Sequence, residues 1–141
     1  MRVVLDVNIW ISGLLWGGIP GRLLRLARHQ QIILCSSESL LLELETTLKR
    51  PKFESRLQQR GYTVTYLMEV VAGLSVSFST PSLNVPELRD PKDVKIIETA
   101  LGANAEVIIT GDLDLLILVE YAQIKIFNPT DFFTCYFPHC E

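Results

Sequence analysis

Four carboxylates stand where a folded chain could gather them: Asp6 ending the apolar run Val3-Val4-Leu5, Glu43 inside a leucine-rich segment, Asp93 just behind Asp90-Pro91, and Asp112 in Thr110-Gly111-Asp112-Leu113-Asp114. Carboxylates that converge repel one another, and such a cluster is tolerable mainly when a hard divalent cation neutralises it. Oxygen-only ligands suit Mg²⁺ or Mn²⁺. An ion of that kind lowers the pKa of a bound water and holds a phosphate oxygen for in-line attack, which is the logic of metal-dependent phosphodiester cleavage.

Each acid also has a simpler account. Asp6 can merely end a strand. Leu40, Leu41, Leu44 and Leu48 form one helix face, with Glu43 and Glu45 flanking it on opposite sides. Glu45 has Lys49 four residues on, the orientation of a stabilising surface pair, whereas Glu43 has only Ser39 and Thr47 at that spacing. Glu43 is therefore the less explained charge. Asp90-Pro91-Lys92-Asp93 reads as N-cap, proline at the first helical position and an acid in the first turn. Asp112 and Asp114 suit the start of a short helix from Leu113 to Leu118.

The elements that would position these acids alternate. Arg2 to Leu5 reads as a buried strand, followed by a turn-rich Ser-Gly-Leu-Leu-Trp-Gly-Gly-Ile-Pro-Gly stretch and a short helix from Arg22 to His29. Gln31 to Cys35 is a second strand, and Ser36-Ser37 supplies caps for the helix bearing Glu43. Pro51 ends that helix, and a helical hairpin broken at Gly61 follows. Val76 to Ser79 is a third strand, Asp90 to Ala103 a helix, Glu106 to Thr110 a fourth strand and Ile124 to Asn128 a fifth. This order predicts an α/β fold, a three-layer α/β/α arrangement around a central parallel sheet of about five strands, in one domain spanning 1–141. Asp6 then falls at the carboxyl end of the first strand, where open α/β sheets place their ligand crevices.

Composition bounds the partners. The chain has 141 residues, 48% hydrophobic and 21% charged, and no apolar run approaches the roughly 18–20 residues of a membrane span. With a strand starting at Arg2 and no leader-like segment visible, a soluble, cytoplasmic protein is expected. Cys35, Cys135 and Cys140 lack paired spacing and read as free thiols, and the aromatic tail ending in His139 and Cys140 reads as a segment that packs or dangles. The net charge of −3 denies the chain the basic excess of a non-specific nucleic-acid binder. Local basic faces remain, from Arg22, Arg25 and Arg28 and from Lys49, Arg50, Lys52, Arg56 and Arg60.

Three stretches together resemble a known family. Leu5-Asp6-Val7-Asn8 with the residues through Gly18 looks like the N-terminal signature of PIN-domain ribonucleases, the segment Leu41 to Phe53 like their glutamate helix, and Arg89 to Leu116 like their third and fourth acidic motifs. The likeness runs from Met1 to about Phe133 and is closest to PIN toxins of type II toxin–antitoxin systems, related to the VapC type. It implies a metal-dependent endoribonuclease acting on single-stranded RNA, with Asp6, Glu43, Asp93 and Asp112 as catalytic metal ligands for Mg²⁺ or Mn²⁺. Asn8 and Thr110 would be polar support and Asp114 a further acid. Val7 departs from the pattern, since the family usually has a small hydroxyl residue there.

The resemblance also implies an antitoxin partner and self-association as a homodimer or larger. Trp10, Leu14, Leu15 and Trp16 crowd a glycine-rich stretch with apolar surface, which either folds back into the core or helps line an antitoxin groove, with Arg22 and Arg25 nearby for acids of a partner or RNA. Two other classes compete. A catalytically weak module that binds RNA or protein would have no chemical reason to keep every acid, and a phospho-acceptor site would want a second aspartate where Asn8 stands.

Overall fold

Strand β1 (Arg2–Leu5) is apolar on both faces, and Val3, Val4 and Leu5 are completely buried in the middle of the sheet. The computed structural model describes residues 1–84, 86 and 88–138. Beside β1 on one side lies β2 (Ile33–Ser36), in parallel register with Val3 opposite Leu34, and beyond it β3 (Ser75–Ser77). On the other side lie β4 (Val107–Ile109), with Val3 opposite Val107, and then β6 (Ile124–Phe127). These are the five parallel strands expected. A sixth, β5 (Glu120–Tyr121), pairs antiparallel with β6 at the edge, giving the order β3-β2-β1-β4-β6-β5. The turn from β5 to β6 holds Ala122 and Gln123 at φ 50° and 68°, the left-handed pair a two-residue hairpin needs, without the Asn-Gly that advertises it in sequence.

The chain leaves β1 in one direction to build β2 and β3 and crosses to the other side for β4, so strand order reverses between β1 and β4. A crevice opens outside the carboxyl ends of the strands at such a reversal. Asp6 and Thr110 follow the two strands that flank it.

The stretch after β1 is a helix rather than a turn-rich loop. Helix α1 (Val7–Leu15) starts directly at Asp6, whose carbonyl accepts from the Ile9 and Trp10 amides at 3.0 and 3.1 Å. Val7, Trp10, Ile11, Leu14 and Leu15 recur with helical period and are all buried. At roughly 1.5–3 kcal/mol per buried apolar side chain, that face far outweighs the ~1 kcal/mol cost of Gly13. Gly13 is there because α1 lies hard against α2 (Gly18–Arg28): a Cβ would come within 3.0 Å of Leu24 and of the Pro20 carbonyl. Pro20 itself falls in the first turn of α2, where no donor is missed.

Trp10 is accordingly a core residue, 1% exposed, which corrects the reading of it as a surface contact; Leu14 and Leu15 are buried with it. Trp16 alone of the group is open, 54% exposed, with the Arg56 guanidinium 5.3 Å from its ring and Phe53 edge-on to it.

Helix α3 (Glu38–Leu48) is capped by Ser37, whose hydroxyl accepts from the Leu40 amide, and buries Leu40, Leu44 and Leu48. A short 3-10 turn (Pro51–Phe53) leads into α4 (Glu54–Arg60), closed by Gly61 at φ 70° where a break was expected, and α5 (Val64–Leu74) returns the chain to β3. Asp90 caps α6 (Pro91–Gly102) through the Lys92 amide, with Pro91 at its first position. After β4, Asp112 caps α7 (Leu113–Leu116). The aromatic tail is largely α8 (Pro129–Tyr136), begun by an Asn128 cap and anchored by buried Phe132 and Phe133. Cys35 is a buried free thiol and Cys135 an exposed one, while the His139 and Cys140 reading lies outside the described residues. Among the described residues no helix is long and apolar enough to cross a membrane.

Candidate metal centre

The cleft at the sheet reversal has a volume of about 220 Å³ and is lined by Asp6, Asn8, Glu43, Asp93 and Asp112, together with Val7, Thr47, Arg50, Lys52, Asp90 and Lys92. Four helices or their caps thus meet at the cleft: α1 with Asp6 and Asn8, α3 with Glu43, α6 with Asp93 and α7 with Asp112. Asp6 comes from the β1 to α1 junction, where its amide continues the ladder by donating to the Ile109 carbonyl at 2.9 Å. Its Oδ2 accepts the buried Thr110 hydroxyl at 2.7 Å, and Thr110 Oγ1 accepts in turn from the Asp112 amide at 3.0 Å. One buried hydroxyl therefore couples the acids that follow β1 and β4.

Asp112 accepts from the Asp114 amide at 2.8 Å, so it caps α7 and lines the cleft at once. Carboxylate oxygens of Asp93, Asp112 and Asp114 lie within 4.8 Å of one another, Asp93 buried, Asp112 half-buried and Asp114 exposed. Asp93 occupies the first turn of α6 and is 3% exposed. Glu43, on α3, is half-buried, whereas Glu45 pairs with Lys49 at 3.8 Å on the surface, as its spacing suggested.

Burial and mutual repulsion both act on the gathered carboxyls. Burial pushes the Asp6 carboxyl above its ordinary range, against the opposing pull of the Thr110 hydroxyl and the Val7 amide. Burial also raises Glu43, despite the fields of Lys92 and Lys95. Asp93 is carried up to about 7 by burial and by the charge of Asp112. Among the described residues Glu43 Oε1 and Asp93 Oδ2 are buried without a hydrogen-bond partner. An orphaned buried acceptor is costly, and a divalent cation satisfies oxygens of this type directly. The donor set thus fits a hard metal ion.

Four predicted residues stand elsewhere. Arg22 lies under the Phe133 ring at 4.8 Å, beside Ile19 and Phe137. Arg25 lines a separate hollow of about 370 Å³ with Arg28, Arg60 and Tyr66. Trp10 is in the core and Trp16 sits beside α4. Conversely, Thr47, Arg50, Lys52, Asp90 and Lys92 line the cleft without having been singled out for it. Arg50 and Lys52 were visible as part of a basic run and Lys92 as part of a helix start, but which way they face is decided by tertiary packing. A larger open hollow of about 610 Å³, between α3 and the chain from β3 onward, gathers only one acid, Glu38, among serines, Thr80, Leu42 and Phe78.

Carboxylates gathered at the carboxyl edge of a parallel α/β sheet make up a donor set that suits an oxygen-preferring metal ion. The chain belongs to the PIN-domain family, whose model matches residues 2–114, a span that holds every acid of the cleft. PIN domains are typically nucleases. The chain is 34% identical over 130 residues to the uncharacterized protein MJ1680 of Methanocaldococcus jannaschii, covering 91% of this chain and 82% of that one. Its fold matches a chain in the crystal structure of VapBC2 from Rickettsia felis bound to a DNA fragment from their promoter. There the TM-score is 0.60 at 15% identity, over 91% of this chain and 98% of the other.

Proposed function

We propose that the chain is a divalent-metal-dependent endoribonuclease that cleaves single-stranded regions of RNA, and that it serves as the toxin of a type II toxin–antitoxin pair. The observation that carries the reading is the convergence of Asp6, Glu43, Asp93 and Asp112 on one cleft. These four would hold Mg²⁺ or Mn²⁺, with Asp114 beside Asp93 and Asp112 as a further oxygen source. When bound, the ion supplies charge neutralisation and an activated water for attack at phosphorus.

The chain's own residues do the rest. Thr110 fixes the rotamer of Asp6 by donating to Oδ2, and the Asp112 amide fixes Thr110, so the two carboxylates keep a set separation without sharing a proton directly. Buried Asp93 holds a proton up to about pH 7 in the metal-free cleft and must release it for its charge to be used. Exposed Asn8, at the same mouth, offers a neutral amide that can donate to a phosphate oxygen without adding to the acid repulsion.

The toxin role draws support from the family and from the fold likeness to VapBC2. On this reading the protein works in the cytoplasm, self-associates as a homodimer or larger, and is covered by an antitoxin protein. Trp16 on the surface, with Arg22 and Arg25, supplies the contacts to which that partner would bind. The test is cleavage of a fluorophore-quencher single-stranded RNA by purified protein. Turnover is expected with Mg²⁺ or Mn²⁺, with loss in EDTA and a drop of orders of magnitude in Asp6→Asn. Cleavage undiminished in EDTA, or wild-type turnover by Asp6→Asn, overturns the reading.

A further inference from the structure

We infer that Arg50, Lys52 and Lys92 form a two-sided phosphate clamp at the rim of the acidic cleft, holding a single-stranded nucleic-acid backbone on either side of the phosphate to be cut. The inference rests on the nuclease reading of that cleft and adds to it the residues that position the strand.

The three cations reach the cleft from separate parts of the fold. Arg50 and Lys52 bracket Pro51 at the 3-10 turn that follows α3, while Lys92 belongs to the first turn of α6. Pro51 fixes φ at the turn and has no amide to donate, so the chain leaves α3 at a set angle that brings both neighbours to the same rim. All three side chains are exposed. The Lys52 ammonium rides 5.1 Å from the Phe53 ring centre, and buried Phe53 steadies it while leaving its charge in water.

The arrangement of charge is what points to a polyanion. Five carboxylates, those of Asp6, Glu43, Asp90, Asp93 and Asp112, share the cleft with these three cations. The simplest use of a lysine or arginine there would be to pair with an acid. Yet the one ion pair among the described residues is Lys49 with Glu45, outside the cleft. Glu43 and Asp93 instead each keep a buried oxygen without a partner, as befits ligands awaiting a metal ion, and the cations stay at the mouth. A phosphodiester strand suits both layers, since its scissile phosphate meets the deep acids through a divalent ion while flanking phosphates meet the basic rim. It also explains how a chain of net charge −3 could hold RNA at this cleft, since three cations concentrate positive charge along its rim.

The experiment uses the full chain carrying Asp6→Asn, so that the probe survives, and a fluorescein-labelled single-stranded RNA oligonucleotide read by fluorescence anisotropy in Mg²⁺ across a KCl series. Each phosphate contact to a single strand adds about 0.7 to the slope of log affinity against log salt concentration. Adding Arg50→Gln with Lys52→Gln is expected to lower the slope by about 1.4, and adding Lys92→Gln by about 0.7. Lys49→Gln, on the same segment but turned to Glu45, should leave the slope as it was.

In the otherwise unaltered enzyme, the three substitutions should raise KM while kcat and the thermal stabilisation by Mn²⁺ persist. An unchanged salt slope, with the parent still binding RNA, overturns the clamp and leaves the nuclease reading standing. Loss of Mn²⁺ stabilisation in the variants also overturns it, by making these residues part of the metal site. An unaltered chain that neither binds nor cleaves single-stranded RNA overturns the clamp and the nuclease reading together.

Discussion

Replacing Asp93 with asparagine should stabilise the metal-free protein. In the folded chain burial and the charge of Asp112 carry the Asp93 carboxyl from 3.8 to about 7. The folded state therefore holds this proton over a range in which the unfolded chain has released it. Raising the pH from about 4 to about 7 then favours unfolding, and above that range the cost is complete. At 1.36 kcal/mol per pH unit the ceiling is about 4 kcal/mol, and the realised cost is smaller because Asp93 titrates together with its neighbour Asp112, which takes up part of the proton.

Asparagine keeps the shape, stays neutral and removes the cost. Urea denaturation in EDTA at pH 5 and pH 8 provides the measurement: Asp93→Asn should gain on the wild type at pH 8 and much less at pH 5. Saturating Mg²⁺ or Mn²⁺ should reverse the order. A ligand at a hundred times its Kd adds about 2.7 kcal/mol to the form that binds it, and the asparagine variant forfeits most of this. A variant less stable than wild type in EDTA at pH 8, or a difference that ignores pH, would refute the account of Asp93 as a strained anion awaiting a cation.

Two further perturbations separate neighbours. Glu43→Gln should reduce RNA cleavage by orders of magnitude. Glu45→Gln should lose only the roughly 0.2–0.5 kcal/mol of a helix-surface pair and keep its turnover; the reverse pattern in a cleavage assay would exchange their roles. Trp10→Ala, emptying a core position, should cost about 3–5 kcal/mol in chemical denaturation. Trp16→Ser should cost about 1 kcal/mol or less, and should weaken capture of a co-expressed antitoxin without altering metal-dependent cleavage.

Where a structural signal was local, it was legible. The alternation of apolar runs and capped helices, the break at Gly61 and the Asp90-Pro91 helix start all survive in the structure, because each depends on a few adjacent residues. Two failures have opposite causes. Ser12 to Gly21 reads as turn-rich in sequence because Gly17-Gly18 and Pro20-Gly21 stand out more than the period of Val7, Trp10, Ile11, Leu14 and Leu15. That period wins once α2 supplies something to pack against. The β5 strand escaped notice because Ala122 and Gln123 carry no turn signature, and their left-handed backbone is imposed by pairing with β6. The α8 cap, Asn128 before Pro129, was in plain view but hidden by the aromatic density that follows it.

The site was legible as a set of acids and illegible as a surface, for a physical reason. A carboxylate in an apolar context, or one lacking a partner at helical spacing, announces itself in one dimension, and so Asp6 and Glu43 could be singled out. Lysines and arginines are at home on any solvated face, and nothing in sequence distinguishes Arg50 at the cleft from Lys49 beside it. The structural and chemical accounts of the acids also turn out to be compatible. Asp112 caps α7 with its Oδ1 while lining the cleft, and Asp93 occupies the first turn of α6 while lying within 4.8 Å of Asp112. Helix starts are where a parallel sheet delivers its chain to the crevice, and they are also where backbone amides favour negative charge. An acid placed there for one purpose is already in position for the other, so a good helix-start account of Asp93 or Asp112 was never evidence against a metal.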